Sequence, residues 1–156
     1  MSWSPAVTVA AVVERRGRFL MVRETIEGKQ VINQPAGHLE DNESLVDAAI
    51  RETLEETAYR FVPEALVGLY RYRAPITGAT FLRATFSGSV QGPLPGARLS
   101  PEILEATWLT PEELEAQEAE LRSPLVLRCI RDHLAGAHYP LTVLAEFTPD
   151  ELPAQL

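Results

Sequence analysis

An amphipathic helix over residues 44–57 is the feature that most constrains the fold of this chain. Apolar or small residues recur at positions 46, 49, 50, 53, 54 and 57, which is the spacing of one helical face. Ser44 is the expected N-cap, and Asp47 three residues later completes a capping box. The pattern therefore predicts a helix that buries one stripe of its surface.

Strand-like runs lie on both sides of this helix. Before it, an apolar β-branched run is typical of a strand buried on both faces, and a turn at Gly17 leads to a partner strand. The polar stretches 24–30 and 33–43 are expected to be loops. The predicted strands are Ala6–Val13, Phe19–Val22, Ala65–Arg73, Ala79–Val90 and Ile103–Leu109.

Two further helices are predicted towards the C-terminus. Thr110 and Pro111 are a cap and a first helical residue, so they open a short helix. Ser123 is expected to cap a third helix over about 123–135, which Gly136 ends. His133 lies on the apolar stripe of that helix and is expected to pack in the core.

Composition excludes several functional classes. The 156 residues carry a formal net charge of −8, which disfavours broad attraction to nucleic acid or to an anionic membrane. An anionic substrate would need a local positive group or a bound cation. The single cysteine, Cys129, permits no intrachain disulfide and no zinc cluster. No signal-peptide pattern opens the chain, and we expect a cytoplasmic protein.

Negative charge is concentrated on the predicted helix. Seven acidic residues and one basic residue, Arg51, lie between Gly37 and Tyr59. At 100° per residue, Glu52, Glu55 and Glu56 share one side of the helix, and Arg51 projects from the opposite flank of the apolar stripe. Charge runs on helices are usually solvated surfaces. Here the near absence of interleaved bases instead favours a hard divalent cation, which takes carboxylate oxygens as ligands.

The spacing of these residues resembles the Nudix box, G-x5-E-x7-R-E-U-x-E-E-x-G-U, where U is a bulky aliphatic residue. The matching positions are Gly37, Glu43, Arg51, Glu52, Glu55 and Glu56. Thr53 replaces an aliphatic residue, and its hydroxyl is expected to bond to the carbonyl four residues earlier. Ala58 replaces the glycine at the helix end, at a cost of roughly 1 kcal/mol if the backbone is left-handed there.

The resemblance implies a fold and an activity. The fold is an α/β/α sandwich around a mixed sheet, here as one domain over residues 1–156 with the box at 37–59. Outside the box, the stretches 33–40, 102–108 and 121–130 are similar to the NudJ-type subgroup of Nudix phosphatases. That subgroup implies Mg²⁺-dependent release of orthophosphate from nucleoside tri- and diphosphates or from the pyrimidine pyrophosphate of thiamine synthesis. Mn²⁺ is an alternative cation.

The resemblance also implies site residues. Glu52, Glu55 and Glu56, with the backbone carbonyl of Gly37, are expected to hold the metal, and one glutamate acts as general base. Glu102 is a candidate base outside the box, with a polar loop residue as the alternative. Arg51 is expected to orient Glu52 or to pair with Glu43, rather than to clamp a phosphate.

Substrate contacts are expected from four positions. Arg122 precedes a helix N-terminus, where anions are favoured, and a plain surface arginine is the alternative. The others are Arg23 at the end of a strand and two residues of the box loop, Gln34 and His38. The partner is a small phosphoanhydride, with no nucleic acid or membrane, and the protein is a monomer or homodimer. Other Nudix substrates (an oxidised nucleotide, a dinucleoside polyphosphate, capped RNA) and a non-catalytic Nudix-like binding domain remain alternatives.

Overall fold

The computed structural model describes residues 2–147 of the chain. Its regular elements are seven strands and three α-helices, with two short 3₁₀ turns. The strands are β1 Ala6–Arg15, β2 Arg18–Ile26, β3 Lys29–Asn33, β4 Ala36–His38, β5 Arg60–Arg73, β6 Thr80–Gln91 and β7 Ile103–Leu109. The helices are α1 Leu45–Thr57, α2 Pro111–Ala116 and α3 Leu125–Leu134.

The sheet is mixed. Its main path runs β3-β2-β1-β6-β5, with β4 paired to β1 and β7 paired to β2. The β1–β6 pair is parallel, and the other pairs are antiparallel. Because β1 is long, its residues 6–13 pair with β6, residues 8–10 also pair with β4 and its last two residues pair with β2. Strand β1 therefore joins the two halves of the sheet.

Helices cover both faces of the sheet. Alternate side chains of a strand point to opposite faces, and in β1 Val9 and Ala11 pack with Ala48 and Ala49 of α1, whereas Val12 packs with residues of α3. The result is the α/β/α arrangement with a mixed sheet that the sequence predicts.

The helix signals in the sequence agree with the structure. In α1, the Ser44 hydroxyl accepts the Asp47 N–H at 2.9 Å. In α2, the Thr110 hydroxyl accepts the Glu113 N–H at 3.1 Å. At α3 the backbone N-cap is Pro124, one residue later than expected, and the Ser123 hydroxyl accepts the Leu125 N–H.

Three local expectations were wrong. Residues 24–30 are a tight hairpin, because β2 continues to Ile26 and β3 starts at Lys29. Strand β5 starts at Arg60, five residues before its predicted start. Residues 33–43 are not all loop, because Ala36–His38 form strand β4. In each case polar or turn-forming residues hid a regular backbone. The His133 ring lies at the edge of the core: it packs edge-on against buried Phe19, with ring centroids 5.9 Å apart, and its nitrogens lie 2.9 Å from Glu14 Oε2 and 2.9 Å from His138 Nε2.

No helix among residues 2–147 has the length and apolar content needed to cross a membrane.

Candidate active site

The site is built on the last turns of α1. Helix geometry brings Glu52 and Glu56, four residues apart, onto one side. Thr53 Oγ1 donates to the Ala49 carbonyl at 2.8 Å, as expected from its place in the box, and this buried residue lies on the adjacent side of the helix. The helix ends at Ala58, whose φ of 64° is left-handed. The family's glycine position therefore keeps its conformation here despite the alanine.

Strand β4 lies directly against these carboxylates. Glu56 Oε1 accepts the backbone N–H of Ala36 at 2.8 Å. The Glu52 carboxylate lies so close to the Cα of Gly37 that a Cβ at this position would overlap it. Gly37 is thus required by space, and its missing side chain leaves a cradle for the Glu52 carboxylate beside the strand.

Glu56 is an unusual carboxyl group. It is 4% exposed. Its pKa is raised to about 9, mainly by burial and also by the nearby charges of Glu24, Glu52 and Glu102, whereas the hydrogen bond from the Ala36 N–H opposes the shift. The pKa of Glu52 is also raised by burial, against the opposing effect of Arg51. These carboxylates therefore repel one another in a poorly solvated place, and a positive charge among them would relieve that repulsion.

Glu24 is a member of this cluster that sequence reasoning missed. It lies on β2 and is 8% exposed. Burial raises its pKa, Arg122 lowers it and Glu102 raises it. The signal in the sequence was that Glu24 closely follows an apolar strand run, but the polar stretch 24–30 predicted a loop there. The structure thus brings Glu24, Glu102 and Arg122 to the same side as Glu56.

Arg51 reaches the carboxylates, which corrects the expectation that it projects away from them. Its guanidinium bonds both oxygens of Glu43 at 2.7 and 3.0 Å, Glu52 Oε1 at 2.8 Å and the His38 carbonyl at 3.0 Å. It also lies 3.3 Å from Glu55 Oε2. The hydrogen bond that Arg51 donates to Glu43 is the main reason that the pKa of Arg51 is raised. The long side chain curls back along the helix, so Arg51 holds Glu52 as the sequence suggested.

The other predicted substrate contacts are placed unequally. The His38 side chain is exposed, and the alternation of the strand turns it to the sheet face opposite Gly37 and the Glu52 carboxylate. Arg122 is exposed, and its backbone N–H bonds the Ile32 carbonyl at 2.8 Å. Arg23 lies elsewhere, held by Glu105 at 2.9 Å and by Gln117 at 3.0 Å. Gln34 is 1% exposed, and its amide bonds inside the protein. The structure therefore brings Glu102 and Arg122 to the cluster but not Arg23 or the side chains of Gln34 and His38.

The donor set suits a hard divalent cation. The acceptor groups of the cluster are carboxylates and backbone carbonyls, the oxygen ligands that Mg²⁺ and Mn²⁺ take. Within residues 2–147, no three acidic, histidine or cysteine side chains already surround one point. Glu52 and Glu55 are drawn towards Arg51, and Glu56 bonds Ala36. A bound cation would thus require these side chains to reorient.

Comparisons with known proteins agree with this fold and site. A NUDIX domain matches residues 3–129. Phosphatase NudJ of Escherichia coli (strain K12) and that of Shigella flexneri are each 41% identical over 145 residues, covering 93% of this chain and 94% of the relative. A NUDIX hydrolase from Nitrosomonas europaea superposes with a TM-score of 0.91 at 45% identity, covering 92% of this chain and 98% of its own.

A more distant structure shares the fold alone. The bifunctional NMN adenylyltransferase/ADP ribose pyrophosphatase from Francisella tularensis, complexed with AMP and a Mn ion, has a TM-score of 0.66 at 18% identity. The superposed part covers 86% of this chain and 42% of the Francisella tularensis chain.

Fold and site together define a hydrolase of pyrophosphate bonds, in a class that generally uses divalent metal ions and small phosphate substrates. The chain belongs to the Nudix family, and its relatives include Nudix phosphatases.

Proposed function

We propose that this protein is a Mg²⁺-dependent phosphatase of nucleoside tri- and diphosphates or of related pyrophosphates such as the pyrimidine pyrophosphate of thiamine synthesis. Mn²⁺ is the alternative cation. The observation that carries this proposal is Glu56, a carboxylate that is 4% exposed and faces Glu24, Glu52 and Glu102. A buried group of like charges is costly unless a cation or a bound proton neutralises it. The 41% identity to Phosphatase NudJ supports orthophosphate as the product.

In this proposal Glu52, Glu55 and Glu56, with the Gly37 carbonyl, hold the cation. When bound, the cation neutralises phosphate charge and lowers the pKa of a coordinated water. Arg51 fixes the Glu52 carboxylate through the 2.8 Å bond and through its pair with Glu43. We propose a positioning role for Arg51, since its donors are occupied by protein acceptors.

Substrate is held and activated by groups around this cluster. Arg122 is exposed and close enough to lower the pKa of Glu24, which supports a contact of its guanidinium with a phosphate there. Glu102 faces both Glu24 and Glu56 and is our candidate general base outside the helix. The backbone N–H of Thr25 donates to the Glu102 carbonyl at 3.0 Å, which ties this loop to β2. We place the whole activity in one domain, residues 1–156, in the cytoplasm.

The test is a substrate panel. Purified protein is incubated with nucleoside di- and triphosphates, the thiamine-type pyrophosphate and sugar nucleotides, with Mg²⁺, Mn²⁺ or EDTA. We expect orthophosphate release that requires the cation. Glu56→Gln should abolish it, whereas the control Glu112→Gln, an exposed acid on α2, should retain it. Release of pyrophosphate, or full activity in EDTA, would contradict the proposal.

A further inference from the structure

Two histidines and a glutamate form a hydrogen-bonded chain of side chains at the C-terminal end of α3. His133 Nε2 lies 2.9 Å from Glu14 Oε2, and His133 Nδ1 lies 2.9 Å from His138 Nε2. The proposed phosphate chemistry uses none of these groups. Imidazole nitrogens that face each other at this distance are candidates for binding a metal ion.

This chain of side chains is separate from the carboxylate cluster. Glu14 lies five residues along β1 from Val9, the residue that pairs with Gly37, which is about 16 Å at the rise of a strand. Alternation also places Glu14 on the face of Val12, which packs with α3, whereas Val9 packs with α1. A ligand of the two histidines would therefore occupy a second place on the protein.

The Glu14 carboxylate fixes the protonation pattern of His133. An ionised carboxylate only accepts hydrogen bonds, so His133 Nε2 carries the proton and donates to Glu14. The other ring nitrogen of the neutral imidazole, Nδ1, then presents a lone pair, and this nitrogen faces His138 Nε2. A carboxylate behind a histidine is the arrangement that orients histidine ligands of metal ions.

Both imidazoles are held by neighbouring structure. The His133 ring packs edge-on against buried Phe19, with ring centroids 5.9 Å apart. His138 precedes Tyr139, which exchanges two backbone hydrogen bonds of 2.8 Å with Leu66 of β5. The separation of the two rings is thus fixed by core packing on one side and by strand-like pairing on the other.

The spacing of the two nitrogens suits a metal ion that takes imidazole. Cu²⁺, Ni²⁺ and Zn²⁺ are such ions, and the Zn–N distance is about 2.0–2.1 Å. Two ligands at this distance are about 2.9 Å apart at the right angle of a square-planar site, and about 3.4 Å apart in a tetrahedron. The nitrogens of His133 and His138 are 2.9 Å apart. Cu²⁺ or Ni²⁺ would therefore enter with little movement of the rings.

A third oxygen ligand comes from a β-bulge. The β5–β6 register shifts between Pro63 and Ala65, so Glu64 is the extra residue of β5, and a bulge re-aims the side chain that it carries. Glu64 lines the same open cavity of about 560 Å³ as Glu14 and the two histidines. The one basic side chain on this wall is Arg16, so carboxylates outnumber it and the cavity favours a cation.

We propose that His133 and His138 bind a transition-metal ion, Cu²⁺, Ni²⁺ or Zn²⁺, with Glu14 orienting His133 and Glu64 as a third ligand. Among residues 2–147 no three ligand side chains yet surround one point, so Glu64 reaches the ion by rotating its side chain. The partial negative charge at the C-terminal end of α3 also favours a cation there. Mg²⁺ does not compete, because it prefers oxygen ligands.

Titration with Ni²⁺ in excess Mg²⁺ tests the site by calorimetry. The protein carries no histidine tag, and Mg²⁺ keeps Ni²⁺ from the carboxylate cluster. We expect one Ni²⁺ per chain, and His138→Ala should weaken its binding roughly tenfold or more. The matched control is His38→Ala, at the other exposed histidine, which should bind Ni²⁺ as wild type does. No binding by wild type, or equal binding by folded His138→Ala, overturns the inference.

Two further measurements separate a metal site from a merely structural hydrogen bond. The electron paramagnetic resonance spectrum of one equivalent of Cu²⁺ should show coupling to two imidazole nitrogens in wild type and in His38→Ala, but not in His138→Ala. Ni²⁺ should raise the melting temperature of wild type and not that of His138→Ala, because an ion that binds only the folded chain stabilises it. A wild-type spectrum without nitrogen coupling, or the same Ni²⁺-dependent rise in both proteins, overturns the inference.

The third ligand has its own variant. Glu64→Gln keeps both histidines and should weaken Ni²⁺ binding several-fold, and unchanged binding overturns the assignment of Glu64. None of these readouts uses phosphate release, so the inference and the proposed function stand or fail separately.

Discussion

Replacing Glu56 with glutamine should make the metal-free protein more stable while removing its activity. Glutamine has nearly the same shape, and its Oε1 can still accept the Ala36 N–H that Glu56 accepts at 2.8 Å. What disappears is a carboxyl group whose pKa is about 9 in the folded chain and 4.5 without the fold. The change therefore isolates the electrostatic cost of the cluster.

The magnitude follows from proton linkage. Between the two pKa values the unfolded chain has lost the proton and the folded chain keeps it. At pH 7 this proton has lowered the unfolding free energy of the wild type by about 3 kcal/mol relative to acidic pH, at about 1.4 kcal/mol for each pH unit above 4.5. Because the folded pKa is the higher one, the stability that Glu56 contributes is fully present below about pH 4.5 and is lost as pH rises towards 9. Wild-type stability without metal should thus fall across this window.

The assay is urea unfolding in EDTA at several pH values from 5 to 9. We expect Glu56→Gln to exceed wild type by up to about 3 kcal/mol at pH 7, or roughly 10 °C in Tm, and by little near pH 5. The control Glu112→Gln should follow wild type at every pH. In saturating Mg²⁺, folded Glu56→Gln should release almost no phosphate.

Two results would refute this reasoning. If Glu56→Gln is less stable than wild type at pH 8 in EDTA, the buried carboxyl is not a source of repulsion. If its turnover in saturating Mg²⁺ is close to wild type, Glu56 does not hold the cation.

Three smaller predictions concern positions around the site. Gly37→Ala should lower the apparent Mg²⁺ affinity in activity titrations by roughly tenfold or more, because the added Cβ displaces the Glu52 carboxylate. The melting temperature should stay the same, and an unchanged Mg²⁺ affinity would contradict this prediction. Ala58→Gly should raise the unfolding free energy in urea by up to about 1 kcal/mol, since φ is 64° there, and a destabilised variant would argue against strain. Arg122→Ala should raise KM a few-fold with unchanged Mg²⁺ affinity, because the side chain is exposed; a constant KM across the panel would make it a surface residue.

Local signals in the sequence were enough for most of the fold. The caps at Ser44 and Thr110 and the period of α1 are properties of short segments, and the structure has those helices where they were expected. Strand β7, Ile103–Leu109, has its predicted bounds because loop residues flank an apolar run. The family and its sandwich fold followed from the fixed spacing of charged residues in the box.

Features set by distant contacts were not accessible in this way. Glu24 is buried only because β2 continues past Val22 and pairs with β3 and β7, which no local pattern showed. Arg51 reaches Glu52 because a long side chain can bend back along its helix, so the direction of its Cβ was a poor guide. The environment of Arg83 depends on three elements that meet only in the folded chain.

The short segment from Asn33 to His38 links the buried Arg83 to the carboxylate cluster. At its start, the Asn33 amide oxygen accepts from Arg83, and in its middle the Ala36 N–H donates to Glu56. At its end, the His38 carbonyl accepts from Arg51, which holds Glu52. One stretch of backbone thus positions both carboxylates, Glu56 directly and Glu52 through Arg51. A shift of this segment would move both, so substitutions that disturb its backbone should change KM and metal affinity together.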